Sequence, residues 1–229
     1  MYINKTTNQP INQPINQLMG GGILPTTIHK GKLYFLFGKE GKYEDTAPGF
    51  SDFGGGTDKK ESFLNTAIRE SAEELTGFLG GIEDVRKLVT QHGTFVVDHV
   101  PEGFDAYRTH IFPFEYNEWL PFYYNNNQRF LQKHLPPKVF KTTKIFEKAE
   151  IRWICEDDLE KMMPQYRFWF KNIVQQIIQE KDQIKQFISQ GLRKSIVNSG
   201  RSSRKSSRRS SGRTFKSTRR HQTTSTKRR

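Results

Sequence analysis

Between Gly55 and Gly77 stand seven residues whose types and spacing could do chemistry: Gly55, then Glu61, then the pairs Arg69-Glu70 and Glu73-Glu74, closed by Gly77. Glu70, Glu73 and Glu74 are spaced i, i+3 and i+4, so on a helix their side chains share one face. Clustered carboxylates repel one another, and a cation must offset them. Arg69 can reach Glu73 at i+4 and supplies part of that charge. The remaining excess of hard oxygen donors suits Mg²⁺ or Mn²⁺. The glycine run Gly54-Gly55-Gly56 just before lets backbone approach a metal or a phosphate, which puts Gly55 and Gly56 among the candidate substrate-binding positions.

Each part taken singly has an ordinary reading. A Glu-rich helix is usually a solvated face, and a Gly-Gly-Gly run is usually a plain loop. The complete pattern is another matter: six specified residues should co-occur by chance in on the order of one chain in 10⁵ of this length. The pattern Gly55-x5-Glu61-x7-Arg69-Glu70-x2-Glu73-Glu74 resembles the signature of the Nudix hydrolases. That resemblance implies an α/β/α sandwich with a mixed central sheet, an α/β (α+β) class of fold. It also implies a loop–helix–loop that binds Mg²⁺ or Mn²⁺ and hydrolysis of a phosphoanhydride in a nucleoside-diphosphate-linked substrate. In that light Glu70, Glu73 and Glu74 would ligate metal, and Glu61 and Arg69 would orient the site. The general base differs among family members; besides a signature glutamate, Glu147 and Glu150 come into view, because similar acidic residues ahead of a strand Trp (here Trp153) line the site in several relatives. The alternative is that both are surface charges.

Two positions depart from the family pattern. Ser71 stands where an aliphatic residue is preferred, on the inner face of the helix, and should weaken packing there. Gly77 comes one residue late, so the helix should run slightly longer. Neither change removes a carboxylate. The stretch Ser51 to Gly56 also resembles Nudix proteins of large DNA viruses, some of which remove mRNA caps while others cleave diphosphoinositol polyphosphates.

The elements around the motif must hold it in place. Leu64, Ala67, Ile68, Ser71, Ala72 and Leu75 recur at three- and four-residue steps, which predicts a helix from about Glu61 to Thr76. Gly22–Ile28 and Leu33–Phe37 read as strands joined by a turn at Lys30-Gly31. Gly49–Gly56 reads as a strand end running into the glycine loop. Leu88–Asp98, Ala106–Tyr116 and Ile151–Cys155 read as further strands. Glu118–Leu135 is ambiguous: Pro121 and the Asn125–Asn127 run favour a loop, with a helix possible after Gln128. Tyr166–Gln190 predicts a long helix with Ile173, Ile177, Ile184 and Ile188 against the core. Phe50, Phe53, Phe95 and Tyr107 could stack on a base, although most aromatics of such a chain are core. His92, His99 and His110 are read as structural or surface residues.

Composition divides the 229 residues into three parts. The formal net charge is +13, but residues 191–229 carry 14 of the 37 Lys+Arg and none of the 24 Asp+Glu, which leaves the first 190 close to neutral. A run of one charge cannot fold by itself. We read residues 191–229 as a disordered tail that could bind RNA, direct nuclear import or merely solubilise. Residues 1–19, with proline every fourth position from Pro10, read as disordered as well. Residues 20–190 form the expected single domain. The only cysteine, Cys155, excludes an internal disulfide and Cys-based zinc sites and fits a reducing interior. No apolar run has signal-peptide or membrane-span length, so a location in cytoplasm or nucleus is expected. Oligomeric state is not legible.

Overall fold

The computed structural model describes residues 20–42, 47–58, 60–100, 106–136, 138, 139, 143, 145 and 147–193. The strands are β1 (Gly20–His29), β2 (Lys32–Glu40), β3 (Phe50–Ser51), β4 (Phe53–Gly56), β5 (Phe95–His99), β6 (Tyr107–Pro113) and β7 (Lys148–Cys155). The helices are α1 (Phe63–Glu74), α2 (Ile82–Gln91), α3 (Trp119–His134) and α4 (Lys171–Gln179), followed by α5 over residues 181–193.

One seven-stranded sheet runs in the order β3-β2-β1-β6-β5, with β4 added to β1 and β7 to β2. The β1–β6 pairing is parallel and every other is antiparallel, so the sheet is mixed. Strand alternation sends Leu36, Phe53 and Ile151 to one face, where they pack with Ile68 of α1, Val85 of α2 and Tyr124 of α3. Phe35, Phe37 and Ile154 point to the other face and pack with Ile173 and Ile177 of α4 and Ile184 and Ile188 of α5. Helices thus cover both faces of a mixed sheet, as the α/β/α reading expects. All four of those isoleucines are fully buried.

Glycine is required where β1 meets β4. Gly20, Gly21 and Gly22 lie opposite Gly56, Gly55 and Gly54. A Cβ on Gly21 would fall 2.4 Å from the carbonyl oxygen of Phe63, at the start of α1. One on Gly54 would fall 2.3 Å from the Gly21 carbonyl oxygen. The bare ladder therefore seats the first turn of α1 directly on the sheet, and that seating fixes where the acidic helix stands.

Four expectations need correction. The predicted strand Leu88–Asp98 divides into the second half of α2 and β5. Its apolar residues Val85, Leu88 and Val89 recur at helical steps, the Gly81 N–H is accepted by Asp84 at 3.2 Å, and Gly93 at φ 73° makes the turn into β5. Residues 118–135 are not a loop: α3 is continuous over Trp119–His134, because Pro121 falls in the first turn, where no intrahelical N–H is lost. The long helix expected from Tyr166 begins only at Lys171 and is interrupted at Glu180. The tail boundary also shifts, since residues 191–193 are still helical and Leu192 packs against the core. The chain divides into a unit Met1–Leu192 and a unit Arg193–Arg229. The segments read as disordered, 1–19 and all of the tail after Arg193, lie outside the described residues.

Candidate active site on the acidic helix

Helix α1 starts at Ser62, whose hydroxyl accepts the Asn65 N–H at 3.3 Å and caps the first turn. Its inner face carries Ala67 and Ile68, both fully buried. Ser71 lies on that face too, and its hydroxyl donates to the Ile68 carbonyl at 3.0 Å, so the polar substitution leaves no unpaired group. The helix does not run long to meet the late glycine. It ends at Glu74, and the extra residue is taken up in a turn where Thr76 and Gly77 adopt φ 48° and 84°. Tyr124 of α3 anchors this end, its hydroxyl donating to the Glu74 carbonyl at 2.8 Å.

Arg69 organises the loop side. Its Nε donates to Glu61 Oε1 at 3.1 Å and one terminal nitrogen donates to Glu61 Oε2 at 2.9 Å, a two-point clasp. That nitrogen also donates to the Gly56 carbonyl at 3.2 Å, and the other donates to Glu70 at 2.6 Å. Glu73 lies 4.0 Å away, at the edge of the group. The Arg69 guanidinium holds the Glu61 carboxyl down at about 2, well below its ordinary value, with the Thr66 hydroxyl assisting. Glu61 in turn raises Arg69.

The Glu70 carboxylate lies over the backbone of Gly55: a Cβ there would fall 2.7 Å from its Cδ and 2.8–2.9 Å from both oxygens. The space that any other residue would fill is occupied by the acid, so glycine at 55 is a condition for this placement. Gly56 has nothing within 4 Å of its missing Cβ.

Glu74 faces elsewhere. It is buried beside Lys148, whose ammonium lies 3.2 Å from Oε1, while the Gly54 N–H donates to Oε2 at 3.0 Å. Lys148 is fully buried; it also pairs with Glu40 and donates to the Ser51 hydroxyl at 3.1 Å. Arg167 reaches the same Glu40 oxygen at 3.0 Å. Burial drives the Glu74 carboxyl well above its ordinary value, with Lys148 drawing it part of the way back. Burial alone would lower Lys148, but Glu74 and Glu40 outweigh it and the ammonium is held charged.

The structure thus divides the three helix carboxylates. Glu70 and Glu73 stand on the Arg69 side, and Glu74 stands over Lys148. Among the described residues no three His, Cys, Asp or Glu side chains are already gathered as a metal cluster. The donor chemistry nonetheless fits a hard divalent cation. Glu70 and Glu73 offer carboxylate oxygens beside an exposed glycine backbone, and each Glu74 oxygen keeps a second lone pair beyond its present partner.

The two candidate bases separate. Glu147 lies close enough for its charge to push Glu74 upward. Glu150 is bound to Arg152 at 3.0 Å and sits opposite Lys39 in the β2–β7 register. The cause is a bulge: Lys39 pairs with Glu150 but Glu40 pairs with Lys148, so Ala149 is the extra residue. Glu150 shares the face of Arg152 and Ile154, away from α1, whereas Lys148 points under α1.

Sequence reasoning missed Lys148, Glu40 and Asp52. Simple two-residue alternation puts Lys148 with Glu150, and only the bulge reverses it. Asp52 is buried beneath the glycine ladder, accepting from Thr109 at 2.7 Å and Tyr107 at 2.9 Å. Burial raises it to about 6 despite those donors. Of the candidate base-stacking aromatics, Phe50 and Phe53 are core, while Phe95 and Tyr107 are partly buried against it.

No family model matches the chain, and no curated protein matches it. Several solved structures align with it at low identity. The Nudix domain of NrtR from Shewanella oneidensis, complexed with ADP ribose, is 14% identical over 72% of this chain and 88% of that one, with a TM-score of 0.41. RenU, a Nudix hydrolase from M. smegmatis, is 16% identical over 73% and 88%, with a TM-score of 0.43. An Ap4A hydrolase of C. elegans is 14% identical over 76% and 97%, with a TM-score of 0.39.

Proposed function

We propose that this chain is a divalent-metal-dependent pyrophosphohydrolase that cleaves a phosphoanhydride bond in a nucleoside-diphosphate-linked substrate. The observation that carries the reading is the placement of Glu70 over the bare backbone of Gly55, with Arg69 joining Glu61, Glu70 and the Gly56 carbonyl. Glu70, Glu73 and Glu74 would hold Mg²⁺ or Mn²⁺. A cation bound there neutralises phosphate charge and makes water a better nucleophile. The chain's own residues supply the rest. Glu61 fixes Arg69, Arg69 fixes the loop, and Gly55-Gly56 offer backbone to the phosphate at close range. Glu147, near Glu74, is the better placed of the two candidate bases to take a proton, since Glu150 is engaged with Arg152 on the other face.

Capped RNA is the favoured substrate, with the 14 Lys+Arg of residues 191–229 attracting the phosphate backbone. The alternatives are a small-molecule substrate (nucleotide sugar, dinucleotide or diphosphoinositol polyphosphate) with a targeting tail, and an RNA-binding protein with secondary catalysis. No described helix is long and apolar enough to cross a membrane. The deciding experiment is a panel of capped RNA, ADP-ribose, a dinucleoside polyphosphate and a diphosphoinositol polyphosphate, run with Mg²⁺, with Mn²⁺ and with EDTA. Metal-dependent release of a phosphorylated product from at least one of them is expected. Turnover of none, or turnover indifferent to EDTA, overturns the reading.

A further inference from the structure

A lysine with no exposed surface, set between two carboxylates, needs a reason, because taking charges out of water is unfavourable unless geometry and partners restore what is lost. Lys148 shows three devices that keep it there. The bulge at Ala149 turns its side chain from the Glu150 face to the α1 face. Gly38 makes room for its stem: a Cβ on that glycine would stand 3.0 Å from Lys148 Cδ and 3.2 Å from Cγ. The Tyr124 hydroxyl shares its one proton between the carbonyls of Glu74, at 2.8 Å, and Lys148, at 3.1 Å, tying the last turn of α1 to the first residue of β7.

We infer that Lys148 is a positioning residue, a fixed internal cation that sets the orientation of the Glu74 carboxylate for metal binding. The inference rests on the reading of Glu74 as a metal ligand. Lys148 engages Oε1 and the Gly54 N–H engages Oε2, so the carboxylate cannot rotate about its terminal bond without losing a partner. Glu40, also paired with Arg167, holds the ammonium from the other side. The Glu74 carboxylate is therefore held in one orientation before any cation arrives. Groups that orient a metal ligand in this way commonly account for 10–100-fold in metal affinity.

The test uses the full-length protein and Mn²⁺ alone, with free Mn²⁺ read by its EPR signal. Lys148→Met leaves Glu74 without its cation and Glu40 with Arg167 alone and is prone to unfold, so it is paired with Lys148→Met/Glu40→Gln, which also lowers the uncompensated negative charge by one. Thermal unfolding establishes which of them folds cooperatively. In a variant that folds, Mn²⁺ affinity should fall at least ~10-fold, whereas Lys148→Arg, which keeps the cation, should stay within about threefold of wild type. A folded variant that binds Mn²⁺ as tightly as wild type overturns the positioning role and leaves the metal site standing. A loss in Lys148→Arg as deep as in the methionine variants also overturns it, because the cause is then packing and not charge. Failure of wild type itself to bind Mn²⁺ overturns the metal site, and this inference with it.

Discussion

Arg69 clasps Glu61 through two nitrogens, at 3.1 and 2.9 Å, across eight residues of chain. The clasp closes the glycine loop onto α1, because the same guanidinium also reaches the Gly56 carbonyl. Lysine in its place has one compact ammonium and cannot serve Glu61, Gly56 and Glu70 together. Arg69→Lys should lower kcat/KM by at least ~10-fold, about 1.4 kcal/mol of transition-state stabilisation. Steady-state kinetics with whichever panel compound is turned over measures this; unchanged kinetics would show that the clasp is ornamental to the chemistry.

Glu70 and Glu73 are the carboxylates on the loop side of α1. Charge removal at either, Glu70→Gln or Glu73→Gln, should reduce kcat by at least ~10²-fold with little change in melting temperature, given the share of a barrier that a metal site supplies. EDTA should abolish wild-type turnover, and added Mg²⁺ or Mn²⁺ should restore it. Near-normal turnover in both variants would remove these residues from the site.

Three adjacent glycines should respond in three different ways to the same methyl group. At Gly54 an added Cβ meets backbone at 2.3 Å, so Gly54→Ala should unfold the domain or lower its melting temperature severely. At Gly55 the Cβ meets the movable Glu70 carboxylate at 2.7 Å, so Gly55→Ala should fold but lose most of its activity. At Gly56 there is open space, so Gly56→Ala should keep the wild-type melting temperature, with any loss confined to a rise in KM where the phosphate approaches the backbone. Thermal melts and kinetics on the three variants check the series, and equal behaviour at 55 and 56 would contradict the placement of Glu70.

The helix that carries Glu70, Glu73 and Glu74 was legible in the sequence from its apolar spacing, but the seating of Glu70 over Gly55 was not, because it depends on how β4 lies against α1. The four isoleucines of α4 and α5 were legible through periodicity, and the α/β/α class only through the resemblance that the motif carries. What escaped detection depended on contacts distant in sequence or on local exceptions. Lys148 needed the bulge at Ala149. Helix α3 was obscured because Asn125 is a poor helix former by propensity; its amide exchanges hydrogen bonds with the Ile151 backbone, at 2.8 and 3.1 Å, which repays its place in the helix. Helix α2 is hidden because the run from Leu88 to Asp98 holds only the second half of its apolar pattern, the first half being Ile82 and Val85.

Two buried groups give opposite pH dependences over one window. Burial raises Asp52 from 3.8 to about 6, so the folded state takes up a proton that the unfolded chain lacks. Its contribution to stability is present below about 4 and lost as pH rises through 6. Burial, helped by the Arg108 charge, lowers His110 from 6.5 to about 4, and its Nε2 has no partner among the described residues. Its contribution is present above 6.5 and lost as pH falls toward 4. The slopes oppose each other, with up to ~3 kcal/mol on each side. Asp52→Asn should therefore lose stability more steeply than wild type between pH 6.5 and 4, and His110→Gln less steeply. Urea unfolding at pH 4.5 and 7 measures both; parallel curves for all three proteins would refute the pair.

The proposed RNA substrate makes a demand on residues 194–229 that a small-molecule substrate does not. Their Lys and Arg face no acidic residue within the segment, so they can neutralise several phosphates of a long RNA and release the counterions. For a single strand, affinity then falls with salt at a log–log slope of about −0.7 per neutralised phosphate. A free nucleotide has too few phosphates to gain from this. Removing residues 194–229 should raise KM for capped RNA at low salt, flatten its salt dependence, and leave kcat/KM for a small nucleotide nearly unchanged. The gain from the segment is one of effective concentration and should show in KM before kcat. Equal losses on RNA and on the nucleotide would mean that the segment supports the catalytic domain itself. Loss on neither would favour the small-molecule enzyme, whose basic segment serves location alone.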